Sequence, residues 1–267
     1  MWIDTQLKKL AAEWSIRLAD CTVAPSEAFA QELRQWTGRN VGAIHHGFDR
    51  AAFQSDATLL PAAVQEKLRS GTDAFRLLFV SHYNYYRNFE TLFHAIPLIK
   101  RQLKGRAVTL FLTCKLTPGA NPGPYRTGTA AALVRELGIS NEVVELGSIP
   151  YRSLHHLYRA ANVYVSPAYA ESFAHPLVES MSSGLPVVAS GLPVHKEICA
   201  SAALYFDTFS PQELCERVIE IAHCPQLASE LSKAGIERSS AFNWGNHIQR
   251  ILDLARSLVS QRASGSP

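Results

Sequence analysis

The sequence has 267 residues, enough for one large domain or two of modest size. With 47% hydrophobic and 18% charged residues, its composition is that of a globular protein and excludes a largely disordered chain. The net charge of +3 is mild and the basic residues are scattered, which argues against a nucleic-acid-binding surface.

Segments with strand-like and helix-like apolar periods alternate along the chain. A helix up to Leu18 precedes the short strand "CTVAP", and Ser26 is placed to cap a helix that Gly38 closes. "VGAIHHG" predicts a second strand. Between Asp49 and Phe75 the apolar period weakens, which indicates a connector with one helix, "PAAVQEKLRS".

A longer β/α series follows the connector. Its predicted strands are "FRLLFVS", "AVTLFLT", "NEVVELGS", "NVYVSP", "PVVAS" and "ALYF", and a helical segment follows each of them. A Pro/Gly-rich loop from Pro118 to Gly128 follows the second strand, and the amphipathic helix "NHIQRILDLARSLVS" precedes a frayed tail. Short strands that are apolar on both faces and alternate with helices predict a doubly wound, Rossmann-like parallel sheet of about six strands.

The cysteines indicate the redox compartment. There are five of them, an odd number, and none is spaced as C-x-x-C, which predicts reduced thiols in a cytoplasmic protein rather than disulfides or a zinc site. The charged N-terminal stretch is unlike a signal peptide, and no apolar run reaches the roughly eighteen residues of a membrane span. Peripheral contact with a membrane is compatible with this composition.

Ligands of such sheets bind in the crevice formed by the loops that follow the strands. The loops "SHYNYYRN", "TCKL" and "PAYAESFAHP" would converge there. The sequence contains no G-x-G-x-x-G motif, so it gives no support for a dinucleotide, and we expect no cofactor.

The third loop leads into a helix that is expected to begin at Pro176 and to end near Ser183, before Gly184. Backbone N–H groups from residues 173–177 would then face the crevice and, with the helix dipole, bind an anion such as a diphosphate. Arg87, in the first loop, would add a bidentate phosphate contact.

Glu171 and Glu179 lie eight positions apart, one on this loop and one in the helix. The carboxylate of Glu179 offers two acceptors for the cis-diol of a ribose, and Glu171 could hold a hydroxyl of a sugar beyond the diphosphate. The spacing therefore suits a nucleotide-sugar. Two alternatives stay open: a pair of solvent-facing charges, or the acid and nucleophile of a glycosidase, which leaves the helix end and Arg87 unexplained.

The stretch "ESFAHPLVESMSSGLPVVAS" resembles the E-x7-E signature of the retaining glycosyltransferases of family four, commonly written EGFGLPxxEAMAxGxPVVAS. Further stretches in the same order are similar to motifs of that family: "ADCTVAPSEAFAQEL", "VGAIHHGFDRAAF", "LLFVSHYNYYRNFETLFHA" and "FNW". The resemblance implies an α/β fold of GT-B type, with one complete Rossmann-like parallel sheet and the remnant of a second. It is much less specific for the substrate.

The resemblance also implies a division of the chain. Residues 1–53 would be the end of an acceptor-side Rossmann domain, 54–74 a connector, 75–240 the donor-binding domain, and 241–267 a C-terminal helix with a frayed tail. The rest of the acceptor-side domain has no counterpart in the sequence, and such a remnant would expose an unpaired sheet edge. We expect a missing N-terminal segment or a partner to supply it, which a full upstream reading frame would settle.

In that family the first glutamate contacts the donor sugar and the second holds the ribose, which implies these roles for Glu171 and Glu179. The two cations that neutralise the diphosphate would be His82, in place of an arginine, and Arg87, in place of a lysine. The predicted catalytic residues are Glu171 and Arg87. The predicted substrate-binding residues are Glu179, His82, Ser172, Phe173, Ala174, His175, Leu177 and Lys115.

Two positions depart from the family pattern, because Ser172 and Ala174 stand where glycines are expected and narrow the room for a sugar. The adjacent pairs His45–His46 and His155–His156 lack a carboxylate or cysteine to complete a metal site, so no metal is predicted.

The predicted function is transfer of a sugar, with retention, from a UDP- or GDP-sugar to an unknown acceptor. A catalytically silent nucleotide-sugar-binding module is the alternative, and a nucleotide-sugar epimerase fits the signature spacing less well.

Overall fold

The computed structural model describes residues 2–55, 58–69, 73–120 and 125–264. Parts of the predicted connector, of the Pro/Gly-rich loop and of the tail (56–57, 70–72, 121–124 and 265–267) lie outside the described residues. The chain divides into two compact units. The smaller consists of the described part of 1–48 and 242–267, and the larger is Asp49–Ala241.

The elements follow one another in the predicted order. The helices are α1 (Trp2–Leu18), α2 (Glu27–Thr37), α3 (Arg50–Phe53), α4 (Ala62–Arg69), α5 (Phe89–Gln102), α6 (Gly128–Glu136), α7 (Leu154–Ala160), α8 (His175–Ser182), α9 (Pro193–Cys199), α10 (Pro211–His223), α11 (Pro225–Ser239) and α12 (Trp244–Ala263). The strands are β1 (Val23–Ala24), β2 (Gly42–Ala43), β3 (Phe75–Phe79), β4 (Val108–Leu112), β5 (Val143–Glu145), β6 (Val163–Ser166), β7 (Val187–Ser190) and β8 (Ala203–Phe206). Two short 3-10 turns cover Tyr85–Arg87 and Tyr151–Ser153.

The larger unit is built on a parallel sheet of six strands in the order β5-β4-β3-β6-β7-β8. This confirms the predicted doubly wound sheet. The chain runs outward from β3 on one side and from β6 on the other, so the topological switch point lies between these two strands. Ligands of open parallel sheets bind outside the carboxyl ends of the strands at such a point.

The core of the larger unit explains why its strands read as continuous apolar runs. β3 and β6 are covered on both faces, and side chains such as Leu77, Leu78 and Val163 have no exposed surface. α5 packs against α10, and α8 packs against α11, where a Cβ added to Gly235 would lie 3.3 Å from Met181. α8, the helix predicted at the candidate site, is therefore fixed in position by its close packing against α11.

The smaller unit contains the parallel pair β1–β2 with α1, α2 and α12. Ser26 caps α2 by accepting a hydrogen bond from the Phe29 N–H at 3.2 Å, and Gly38 ends it with a left-handed φ of 67°. Both caps are as predicted, whereas the two strands are shorter than their apolar runs. Among the described residues, none of the helices is both long enough and apolar enough to cross a bilayer.

Candidate functional site

Asn88 joins three loops at the switch point. Its backbone is left-handed, with a φ of 53°, a conformation that asparagine tolerates better than most residues. Its Nδ2 donates to the carbonyls of Pro167 at 3.0 Å and Thr208 at 2.8 Å. The loops after β3, β6 and β8 are thereby fixed to one another. Sequence reasoning missed this role, although an asparagine directly before the helical period of α5 was a signal for a cap.

Arg87 and Glu171, the predicted catalytic residues, form an ion pair across the switch point. Arg87 Nη1 donates to Glu171 Oε2, and the two side chains are only 17% and 11% exposed. The other carboxylate oxygen of Glu171 accepts from the Ser172 N–H at 3.1 Å. The guanidinium carbon lies 5.3 Å from the centre of the Tyr86 ring, so the cation is also held by a π face.

Glu179 is buried in α8, with 5% of its surface exposed. Tyr158 of α7 donates its hydroxyl to Glu179 Oε2 at 2.7 Å. Burial raises the pKa of Glu179 to about 7, and the Tyr158 hydrogen bond acts in the opposite direction. The carboxylate is thus oriented by one donor and kept from water. Tyr158 was not singled out from the sequence, where it is one more aromatic residue in the apolar period of α7.

A cavity of about 440 Å³ lies beside these groups, at the ends of β3, β4 and β5 and the start of α8. It brings together half of the predicted site residues, namely His82, Arg87, Lys115, His175 and Glu179. The other described residues that line it are Val80, Ser81, Thr113, Ala120, Ser148, Ile149, Leu154 and Pro176. A concave site with apolar walls and a few convergent charges is typical of small-molecule binding.

The remaining predicted residues are not among the described residues that line this cavity. Glu171 is paired with Arg87, which lines the cavity. Phe173 is buried, and its ring lies against that of His175 with 4.9 Å between the ring centres. Leu177 is buried and its N–H donates to the Ala174 carbonyl at 3.0 Å. The Leu177 amide, which was predicted to contact phosphate, is therefore already used in a hydrogen bond at the start of α8.

Lys115 approaches the cavity from the loop after β4. Its Nζ donates to the Glu145 carbonyl at 3.2 Å, and Lys67 Nζ donates to the same oxygen at 2.6 Å. Burial lowers the pKa of Lys67, and the charge of Lys115 acts in the same direction. Gly147 has a φ of 80°, a left-handed conformation that favours glycine, and a Cβ there would lie 2.9 Å from Lys115 Cε and displace the end of that side chain. The shared carbonyl brings the two ammonium groups together, and Lys115 is the one of the two that lines the cavity.

Ala174 is strained at the start of α8. It has φ 67° and ψ 65°, the left-handed conformation that favours glycine, and it provides no side-chain cap. The substitution Ala174→Gly should therefore raise stability by roughly 1 kcal/mol, or about 2–4 °C in Tm, after the entropic cost of glycine is deducted. Thermal unfolding followed by circular dichroism measures this.

The matched control is Ala95→Gly, in the interior of α5, which should lower Tm because a right-handed helical position gains nothing from glycine. A lower Tm for Ala174→Gly than for the parent would contradict the strain at Ala174.

The histidine pairs give no metal centre. His46 stacks on His247 at 5.8 Å, and burial lowers its pKa, with His247 acting in the same direction. Throughout the described ranges, no group of three or more His, Cys, Asp or Glu side chains is arranged to hold a metal ion. All five cysteines are free thiols.

Comparison with known proteins identifies relatives along most of the chain. The family model described as "Glycosyl transferases group 1" matches residues 62–238. The D-inositol 3-phosphate glycosyltransferase of Streptosporangium roseum is 26% identical over 250 residues, 92% of this chain and 57% of that protein. That of Nocardiopsis dassonvillei is 29% identical over 259 residues, 93% of this chain and 58% of that protein. The chain thus spans less than two thirds of the length of these relatives.

Solved structures of low identity share the fold. Sucrose-phosphate synthase from Thermosynechococcus elongatus has a TM-score of 0.78 at 24% identity, covering 96% of this chain and 62% of that one. Anabaena HepE in complex with UDP-glucose has a TM-score of 0.76 at 22% identity, covering 93% and 67%. The fold class is therefore α/β of GT-B type, as predicted. Because the family model covers well over half of its residues, this chain belongs to the glycosyl transferases group 1 family.

Proposed function

We propose that the protein transfers a sugar from a nucleoside diphosphate sugar, UDP- or GDP-linked, to an acceptor hydroxyl with retention at the anomeric carbon. The observation that carries this proposal is the convergence of Arg87, Lys115 and the buried Glu179 on one cavity at the switch point, with Glu171 paired to Arg87 beside it. The relatives support it, since they are glycosyltransferases and HepE was solved with UDP-glucose.

In this proposal the donor lies along the cavity with its ribose at Glu179. A carboxylate held by Tyr158 on one oxygen retains lone pairs for both hydroxyls of a cis-diol. The diphosphate lies between Arg87, His82 and Lys115, close to the N-terminus of α8, where the backbone of Phe173, Ala174 and His175 adds a favourable dipole. The sugar then extends towards Glu171 and Ser172.

The proposed reaction breaks the bond between the anomeric carbon and the diphosphate oxygen while the acceptor oxygen attacks from the same face. The acceptor proton passes to the departing phosphate oxygen, so the atoms balance without a covalent enzyme intermediate. Arg87, Lys115 and the helix dipole stabilise the negative charge that develops on the leaving diphosphate. Glu171 orients the sugar by accepting from one of its hydroxyls.

The acceptor side belongs to the same proposal. The chain spans 57% of the length of the Streptosporangium relative, and we propose that a further N-terminal segment or a partner supplies the rest of the acceptor site. Five free thiols are compatible with the cytoplasmic location predicted from the sequence.

Turnover separates the proposal from its alternative, a silent nucleotide-sugar-binding module. The full chain is incubated with UDP- and GDP-linked hexoses and a panel of sugar and polyol acceptors, and released nucleoside diphosphate is measured. Acceptor-dependent release supports the transferase. Binding of the donor without release under any condition would favour the silent module, and neither binding nor release would contradict both.

A further inference from the structure

A second groove of about 330 Å³ lies on the same loops as the candidate site, and the proposed transfer leaves it without a role. The loop of residues 82–88 contributes to both sites, because Arg87 lines the first cavity and residues 83–85 line the groove. The Tyr169 N–H donates to the Tyr86 carbonyl at 2.9 Å, which ties the loop after β6 to the loop after β3. A ligand in the groove would therefore lie close to the candidate catalytic pair.

The walls of the groove are aromatic and open to solvent. Three of the aromatic residues that line it, Tyr85, Tyr169 and Phe209, are 57%, 41% and 66% exposed. The rings of Tyr169 and Phe209 lie 5.7 Å apart at 37°, and Tyr85 meets Tyr83 edge-on at 6.5 Å. Exposed apolar surface that is gathered in one place marks a binding site more often than scattered residues do.

The floor of the groove carries an unsatisfied donor. Asn84 is 1% exposed, and its Oδ1 accepts from the Arg87 N–H at 3.1 Å. Its Nδ2 is buried and makes no hydrogen bond to any described residue. Glu90 and His94 add polar groups at the rim.

The groove is preformed. The amide of Asn88 bonds to the Pro167 and Thr208 carbonyls, which hold the two loops that carry Tyr169 and Phe209. Little ordering is then needed when a ligand binds, which favours affinity for a small ligand.

The charge of the lining decides the class of ligand. The described residues that line the groove include no lysine or arginine, and Glu90 is acidic, so phosphates and carboxylates are disfavoured. A neutral ring with an apolar face and a hydroxyl edge fits a groove with aromatic walls and with the polar groups of Glu90 and His94 in its lining. We infer that the groove binds a neutral saccharide ring, which would be part of the acceptor. The assignment of this saccharide ring to the acceptor rests on the proposed function, whereas the inference that the groove binds a saccharide does not.

Saturation-transfer NMR on the full chain tests the inference. The probes are glucose, galactose, mannose, N-acetylglucosamine and the disaccharides cellobiose, lactose and maltose. We expect transfer to at least one of them, about three- to tenfold weaker affinity in Phe209→Ala, and recovery in Phe209→Trp, which restores an aromatic face. Trp14→Ala, which removes a ring on α1 that is 61% exposed, is the control and should change nothing.

UDP and GDP are titrated into the same samples, so that failure of the saccharide groove can be distinguished from failure of the proposed donor site. Absence of saccharide contact in the parent, equal contact in Phe209→Ala, or a nucleoside in the groove instead of a saccharide would overturn the inference. If a nucleotide still binds in that case, the proposed function stands. Saccharide contact that depends on Phe209 supports the groove even if neither nucleotide binds, a result that would count against the proposed donor site.

Discussion

Replacing Arg87 by alanine is expected to slow sugar transfer by about 10²–10³-fold, the usual cost of removing one group that stabilises charge in a transition state. Arg87 lines the cavity and is the cation paired with Glu171. Its loss removes the positive charge that would stabilise the leaving diphosphate, and it leaves the Glu171 carboxylate without its partner. Nucleoside diphosphate release under saturating donor measures the effect. Arg87→Lys should recover part of it, because it keeps the charge but not the planar fork.

Stability and chemistry must be separated for this variant. Arg87→Ala leaves a largely buried Glu171 without its cation, which should lower stability by roughly 2–3 kcal/mol. Arg87→Ala combined with Glu171→Ala should recover much of this stability without recovering turnover. Arg106→Ala is the matched control, since Arg106 lies 5.0 Å from the Phe75 ring centre and is exposed. Turnover of Arg87→Ala within about threefold of the parent would contradict the proposed role.

Glu179→Gln is expected to weaken nucleotide binding by about 10- to 100-fold while making the protein more stable above pH 7. The weaker binding follows from replacing a charged acceptor of ribose hydroxyls by a neutral amide. Calorimetric titration with UDP or GDP at pH 8 measures it.

The gain in stability follows from the raised pKa. Glu179 has a folded-state pKa of about 7, above its unfolded value of 4.5, so the folded protein retains a proton that the unfolded chain has lost between these values. The contribution of Glu179 to the free energy of unfolding is fully present below pH 4.5 and is lost as the pH rises through 7. Glu179→Gln should therefore be more stable than the parent by roughly 2–3 kcal/mol at pH 8, and by much less at pH 5.

Glu142→Gln is the control for this result. Glu142 is also buried, but it pairs with Lys100, so its substitution should lower stability at pH 8. Chemical denaturation at the two pH values measures both variants. Equal stability of Glu179→Gln and the parent at pH 8 would show that the burial of Glu179 costs the protein nothing.

Local patterns in the sequence predicted the fold well. Apolar runs identified every strand of the six-stranded sheet, and Ser26 and Gly38 identified the ends of α2 because capping depends on adjacent residues. The signature stretch placed α8 correctly to within one residue at each end, although the helix begins at His175 rather than Pro176. The 3-10 turn that carries Arg87 and the short α3 had no periodic signal and were not predicted.

The side-chain arrangement of the site could not be predicted, because it depends on contacts distant in sequence. Arg87 and Glu171 are 84 positions apart, and the ion pair forms only when the loops after β3 and β6 meet at the switch point. The partner of Glu179 lies on a different helix, where nothing distinguishes Tyr158 from other buried aromatic residues. The amide of Leu177 is used internally because the left-handed turn at Ala174 directs that carbonyl towards it.

Calorimetric titration of UDP and GDP into the full chain tests the central claim most directly, with Glu179→Ala and Arg87→Ala titrated in parallel. We predict one-to-one binding of at least one nucleotide by the parent, strongly weakened in both variants. If neither nucleotide binds the parent, or if both variants bind as the parent does, the cavity is not the donor site.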